Sequence, residues 1–149
     1  MEPLNFPTYS FRLKNSENKV AIFDDIRKKF VILQPEEWVR QHLAKHLIIE
    51  KKYPAGLISI ETGLIYNGLK KRSDLVAYNN QGKPILIAEC KAPNIKLTQS
   101  TFDQAAIYNM SLKVSYLLIT NGLEHYCCFI DHKKKEFNFL SEIPIYKNQ

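Results

Sequence analysis

Asp74, Glu89 and Lys91 are the residues of this chain whose types and spacing could do chemistry. Glu89 and Lys91 stand one residue apart in the string ILIAECKAP, directly after the apolar run Ile85–Ala88. Charges that follow a run fit for burial must be compensated or used. Side chains alternate along a strand, so Ile85, Ile87, Glu89 and Lys91 are expected on one face. If Gln81 and Gly82 form the preceding turn, the run RSDLVAY registers Tyr78 against Ile85, Val76 against Ile87 and Asp74 against Glu89. Opposed Cβ atoms then lie roughly 4.5–5.5 Å apart, and two carboxylates that close need a counterion. Lys91 alone would give a structural triad. A divalent cation is the other solution: magnesium takes oxygen ligands, often one or two carboxylates with several waters. A lysine beside it can position or deprotonate a water, or stabilise charge building on a phosphate.

These residues need elements to hold them. The first third carries β-prone pieces, YSFRL, KVAIF and KFVIL, separated by polar stretches such as KNSEN. QPEEWVRQHLAKHLIIE reads as an amphipathic helix, with Pro35 in its first turn and Val39, Leu43 and Leu47 at four-residue spacing. Glu36 and Glu37 follow the proline, where the helix dipole favours anions. GLISIETGLIY, KRSDLVAYN and ILIAECKA read as strands, with NQGKP a turn. LTQSTFDQAAIYNMSL reads as a second helix, with Phe102, Ala106 and Met110 on one stripe. VSYLLIT is a buried strand, the NG at 121–122 a hairpin signal, and LEHYCCFI and EFNFL closing strands. The expected order is helix, three strands, helix, strand and a C-terminal hairpin extension. That is a mixed α/β (α+β) fold, one sheet flanked by helices.

The bulk properties narrow the partners. The chain has 149 residues, 45% apolar and 24% charged, which suits one globular domain. No apolar run reaches the roughly 18 residues that span a bilayer, and the N-terminus has no secretory pattern. Three cysteines with no CxxC spacing suggest neither a disulfide framework nor a zinc ribbon, so a reduced, cytoplasmic protein is expected. The net charge of +6 and pI near 9.2 suit a polyanion such as nucleic acid. Arg27-Lys28-Lys29, Lys51-Lys52 and Lys133–Lys135 read as solvated faces or turns. The cluster Lys70-Lys71-Arg72 differs, because it adjoins Asp74. His42 and His46 have the i, i+4 spacing of zinc ligands, but in HLAKH a leucine stands where a catalytic glutamate would be. Cys90 reads as a small buried hydrophobe.

The ordered strings PEEWVRQHL, GLKKRSDLVAYN, GKPILIAECKAP, FDQAAIYN and LLITNG carry a resemblance over roughly residues 30–145. The chain resembles the PD-(D/E)XK nuclease superfamily. Within it, the chain is similar to the N-terminal nuclease domain of type I restriction enzyme R subunits, in a small stand-alone form. The resemblance implies a restriction-endonuclease-like core over about 34–120, an N-terminal β extension over 1–33 and C-terminal strands over 121–149. It implies a Mg²⁺-dependent deoxyribonuclease, with Mn²⁺ as a substitute. Asp74, Glu89 and the Cys90 backbone carbonyl would be metal ligands, and Lys91 would act on the water and the phosphate. The first helix supplies a glutamate in this superfamily. Helical geometry does not choose between Glu36 and Glu37; the resemblance favours Glu37, with Arg40 one turn on. Gln104 and Tyr108 match a QxxxY helix motif and would position substrate or the lysine; Lys71 and Arg72 are further substrate-positioning candidates. Ser73 replaces the namesake proline. There is no GxxxxGK[ST] loop, so a helicase motor would have to come from partner chains. The rival expectation is a non-catalytic nucleic-acid-binding module or restriction accessory subunit of the same fold.

Overall fold

The computed structural model describes the backbone of residues 1–66 and 69–148, with side chains except those of 64–66, 69–71, 108 and 111. Three short strands come first: β1 (Leu13–Ser16), β2 (Lys19–Asp24) and β3 (Lys29–Ile32), paired antiparallel in that order. Helix α1 (Pro35–Ile49) follows, then β4 (Ile58–Tyr66), β5 (Leu69–Tyr78) and β6 (Pro84–Cys90). Helix α2 (Gln99–Leu112) crosses to β7 (Tyr116–Thr120), and β8 (His125–Asp131) and β9 (Glu136–Leu140) complete a six-stranded sheet. Its order is β4-β5-β6-β7-β8-β9, antiparallel except for the parallel pair β6–β7 that α2 bridges. This is the mixed α+β architecture expected from the sequence.

Each helix covers one face of the large sheet. Val39, Leu43 and Leu47 of α1 pack on Leu75, Ala77, Leu86, Ala88, Cys90 and Leu118. Ala105 and Ala106 of α2 pack on Leu117, Ile119, Cys128 and Ile130. Leu43, Leu47, Leu75, Leu86, Leu117 and Leu118 are wholly buried, each stabilising the fold by about 1.5–3 kcal/mol. Strand alternation also separates the adjacent Cys127 and Cys128, one to each core. Burial pushes Cys127 up to about 12 and Cys128 to about 11, so both are neutral thiols.

Two sequence expectations are corrected. YSFRL is not a strand. Glu17 and Asn18 take left-handed backbone (φ 50° and 66°), a tight two-residue hairpin turn that draws the pairing onto Leu13–Ser16. Tyr9 and Phe11 instead belong to an N-terminal arm whose rings lie against His42 of α1. The second correction concerns register. Val76 pairs with Ile87 as expected, but Tyr78 pairs with Pro84 rather than Ile85, because the ladder shifts between Ala77 and Tyr78. The buried Asn79 causes the longer turn: its Oδ1 accepts the amides of Gln81 and Lys83 at 2.9 and 3.0 Å. Ile85 is thereby displaced into the α1-side core, whereas Ile87 packs with Val76 and Val114 on the other. Beyond the shift the expected register holds as far as Leu75–Ala88, where the ladder ends.

Candidate active site

The ladder between β5 and β6 stops after Leu75–Ala88, and the next residues are Asp74 and Glu89. The Asp74 side chain takes over from the ladder there: its Oδ2 accepts the Cys90 amide at 2.7 Å. Its Oδ1 accepts Nη2 of Arg40, on α1, at 3.1 Å. Beyond Cys90, β6 is held from the other side, where the Lys91 amide donates to the Thr120 carbonyl at 2.8 Å. The Glu89–Lys91 segment is therefore fixed on one flank by the Asp74 side chain and on the other by a backbone bond. Glu89 and Lys91 line an open pocket with Ile119 of β7 and Thr101, Gln104 and Ala105 of α2. Alternation predicts that shared face, and the residues of α2 roof it.

The two glutamates of α1 differ sharply. Glu37 is 7% exposed and its oxygens are saturated. Arg27 Nη2 donates to both at 2.9 Å, Arg40 Nη1 to Oε1 at 2.6 Å and Gln41 Nε2 to Oε2 at 3.0 Å. The Glu36 side chain is 47% exposed and touches Arg40 Nη2 at 3.3 Å. Partial burial pushes its carboxyl above the usual value; the Asp74 charge adds to this, while Arg40 and Lys91 pull it back. Glu36 thus feels the charges of both Asp74 and Lys91. Glu37, which the resemblance favours, faces the buried arginines instead, because Arg27 enters beneath the helix.

Arg40 is itself 5% exposed, and carboxylates surround it: Glu36, Glu37, Asp74 and, at 3.5 Å, Glu61. Although desolvation opposes its charge, Glu37 and Asp74 hold its guanidinium above the ordinary value. Glu61 sits at φ 53°, interrupting β4 between Ile60 and Thr62, and also holds Arg72 at 2.5 Å. Cys90 is buried, and burial together with the charges of Asp74 and Glu89 pushes its thiol well up. It stays a neutral thiol, so the nearby donors for a cation are carboxylate oxygens.

Of the remaining sequence candidates, Gln104 is exposed on α2 and reaches the pocket. Arg72 is exposed and paired with Glu61. The side chains of Lys71 and Tyr108 lie outside the described residues. Sequence reasoning missed Asp24, Arg27, Gln41 and Glu61. Arg27 sits in a basic run that reads as solvated, yet its side chain is only 16% exposed. The available signal was an aspartate closing an apolar strand three residues before it.

Residues 35–144 match the family described as Type I restriction enzyme R protein N terminus (HSDR_N). The chain belongs to this family. Among solved structures it is similar to a fragment of a Vibrio vulnificus YJ016 protein assigned as an HsdR subunit of a type I restriction enzyme, with a TM-score of 0.53 and 22% identity. The match covers 75% of this chain and 24% of that one, so this protein spans about a quarter of that chain's length. That likeness is one of fold. No curated protein matches. Among the described residues, no helix is long and apolar enough to cross a membrane.

Proposed function

We propose that this family member is a Mg²⁺-dependent DNA phosphodiesterase of PD-(D/E)XK type, a nuclease module working with other restriction-system chains. The observation that carries the reading is the pairing of Glu89 and Lys91 in an open pocket, with Asp74 pinned at the same sheet end by the Cys90 amide and Arg40. The oxygen donors of Asp74, Glu89 and Glu36 suit a hard cation, and the Cys90 side chain is packed into the α1-side core. No group of three His, Cys, Asp or Glu among the described residues converges tightly enough to hold an ion unaided. Magnesium, which keeps much of its water, asks for no more than one or two of them. Asp74 and Glu89 would hold it, with the Cys90 carbonyl as a further donor. When bound, it would supply charge stabilisation to a phosphate oxygen.

The chain's own residues do the rest. Lys91 orients the attacking water and offsets charge building on the phosphate. Gln104 orients the substrate or the lysine from above. Glu36, half exposed and within the field of Lys91, accepts a hydrogen bond from water or lysine. Lys71 and Arg72 bind the DNA backbone, consistent with the net charge of +6.

Plasmid and linear DNA should be nicked or degraded in Mg²⁺ or Mn²⁺. Asp74→Ala, Glu89→Ala and Lys91→Ala should each lower the rate by about 100-fold or more, with melting temperatures recorded alongside. Activity that survives all three would sink the mechanism. A non-catalytic binding module is the second reading, favoured by one observation: Asp74 Oδ1 is already occupied by Arg40 at 3.1 Å. It predicts salt-dependent DNA binding in EDTA and no cleavage in any divalent metal.

A further inference from the structure

The match to the family begins at residue 35, but the buried charge network does not. It starts in the turn between β2 and β3. We propose that Arg27, delivered by that turn, is a positioning residue for the reaction assigned above: it fixes Glu37, and through Glu37 and Arg40 it fixes Asp74. This inference rests on the proposed function.

The chain of contacts runs without a break. Asp24, 1% exposed at the end of β2, is the anchor. Its Oδ1 accepts the amides of Ile26 and Arg27 at 2.8 and 2.9 Å, which shapes the turn. Its Oδ2 accepts Arg27 Nε at 2.6 Å and Gln41 Nε2 at 3.0 Å, which aims the guanidinium under α1. Arg27 Nη2 then holds both oxygens of Glu37, and Nη1 approaches Glu61 at 3.7 Å. Glu37 spends its remaining acceptor capacity on Gln41 and Arg40. Arg40, so oriented, turns Nη2 toward Asp74 Oδ1.

The logic is that of opposed charges in a small buried space. Arg40 has four carboxylates within reach and could lean toward any of them. Arg27 neutralises Glu37 and shares Glu61, so neither draws Arg40 fully away from Asp74. A planar fork with fixed donor directions is needed for this; a lysine ammonium carries the charge without the geometry. The small N-terminal sheet therefore acts on the site at the far side of α1.

The test uses the full chain with Arg27→Lys, which keeps the charge and loses the fork. Asp24→Asn, which keeps the shape and weakens the aim of Arg27, is the second variant. Lys45→Ala removes the exposed neighbouring pair with Asp25 and is the control. Mn²⁺ binding is measured by calorimetry, DNA binding in Ca²⁺ by fluorescence anisotropy, cleavage as kcat and KM, and folding by thermal melt. Arg27→Lys should melt cooperatively, bind DNA within about twofold of wild type, and lose about tenfold in kcat or in Mn²⁺ affinity. Asp24→Asn should move the same way by less, and Lys45→Ala should match wild type. If Arg27→Lys does not melt cooperatively, Asp24→Asn decides. A folded variant with wild-type kcat and Mn²⁺ affinity overturns the positioning role alone. A wild-type chain that neither binds Mn²⁺ nor cuts DNA overturns the proposed function, and this inference falls with it.

Discussion

The two faces of the large sheet handle charge in opposite ways. On the α1 face, Asp24, Arg27, Glu37, Arg40 and Gln41 are buried or nearly so and bonded to one another, with both oxygens of Glu37 saturated. On the α2 face, Glu89 and Lys91 line an open pocket beneath exposed Gln104. Asp74 lies where the two meet, held by Arg40 on one side and by the Cys90 amide on the other. The contrast teaches a division of labour. Buried groups bonded to one another can only position; groups lining an open pocket can take a ligand.

Breaking the closed face should have the largest effect. Glu37→Ala leaves Arg27 and Arg40 buried without their shared carboxylate and should cost about 3–5 kcal/mol in urea unfolding. Glu36→Ala, one residue away, should cost less than about 1 kcal/mol yet slow cleavage about tenfold. If the two variants lose stability equally, the contrast between them is wrong.

A smaller effect tests how the closed face is sealed. Gly122 lies at φ +87°, and a Cβ there would meet Leu4 Cδ2 at 2.8 Å and Val39 Cγ2 at 3.0 Å. The N-terminal arm docks on this turn, where the Asn5 amide donates to the Gly122 carbonyl at 2.7 Å. Gly122→Ala should lower stability by about 1–3 kcal/mol through strain and the clash. Proteolysis should then cut within the first dozen residues before it cuts elsewhere. Resistance equal to wild type would show that the arm does not depend on this turn.

The gentlest perturbation is pH. Phe6 of the same arm packs among the rings of His42, His46 and His125. Burial holds all three imidazoles below their usual value. In the unfolded chain each returns to about 6.5. Just below that pH the unfolded state binds more protons than the folded one, so this stability is present above about pH 6.5 and is lost as pH falls. The urea midpoint should therefore drop between pH 7.5 and 5.5, and the drop should shrink in His42→Gln. An unchanged drop in that variant would remove His42 from the account.

Much of this molecule was legible before folding. Period-2 and period-3.6 patterns locate β4–β9 and both helices, because each element must bury one face. Alternation put Glu89 and Lys91 on one face, and the count from the turn gave the Val76–Ile87 pair. Local chemistry failed where a side chain altered the backbone. Asn79 lengthened a turn and sent Ile85 to the other core; Glu17 and Asn18 moved β1 out of YSFRL.

The sequence by itself determined the strand and helix order, the apolar strand that carries Glu89 and Lys91, and the family. Only the tertiary structure distinguished the two glutamates of α1, burying Glu37 among arginines and leaving Glu36 half exposed. Glu36 and Glu37 are neighbours on one helical turn, and helix geometry treats them alike. What separates them is Arg27, ten residues upstream of Glu37 in the turn between β2 and β3, which surrounds Glu37 with charge and leaves Glu36 half exposed. Electrostatic partners are set by proximity in space, and a local pattern carries no record of what the rest of the chain brings beneath it.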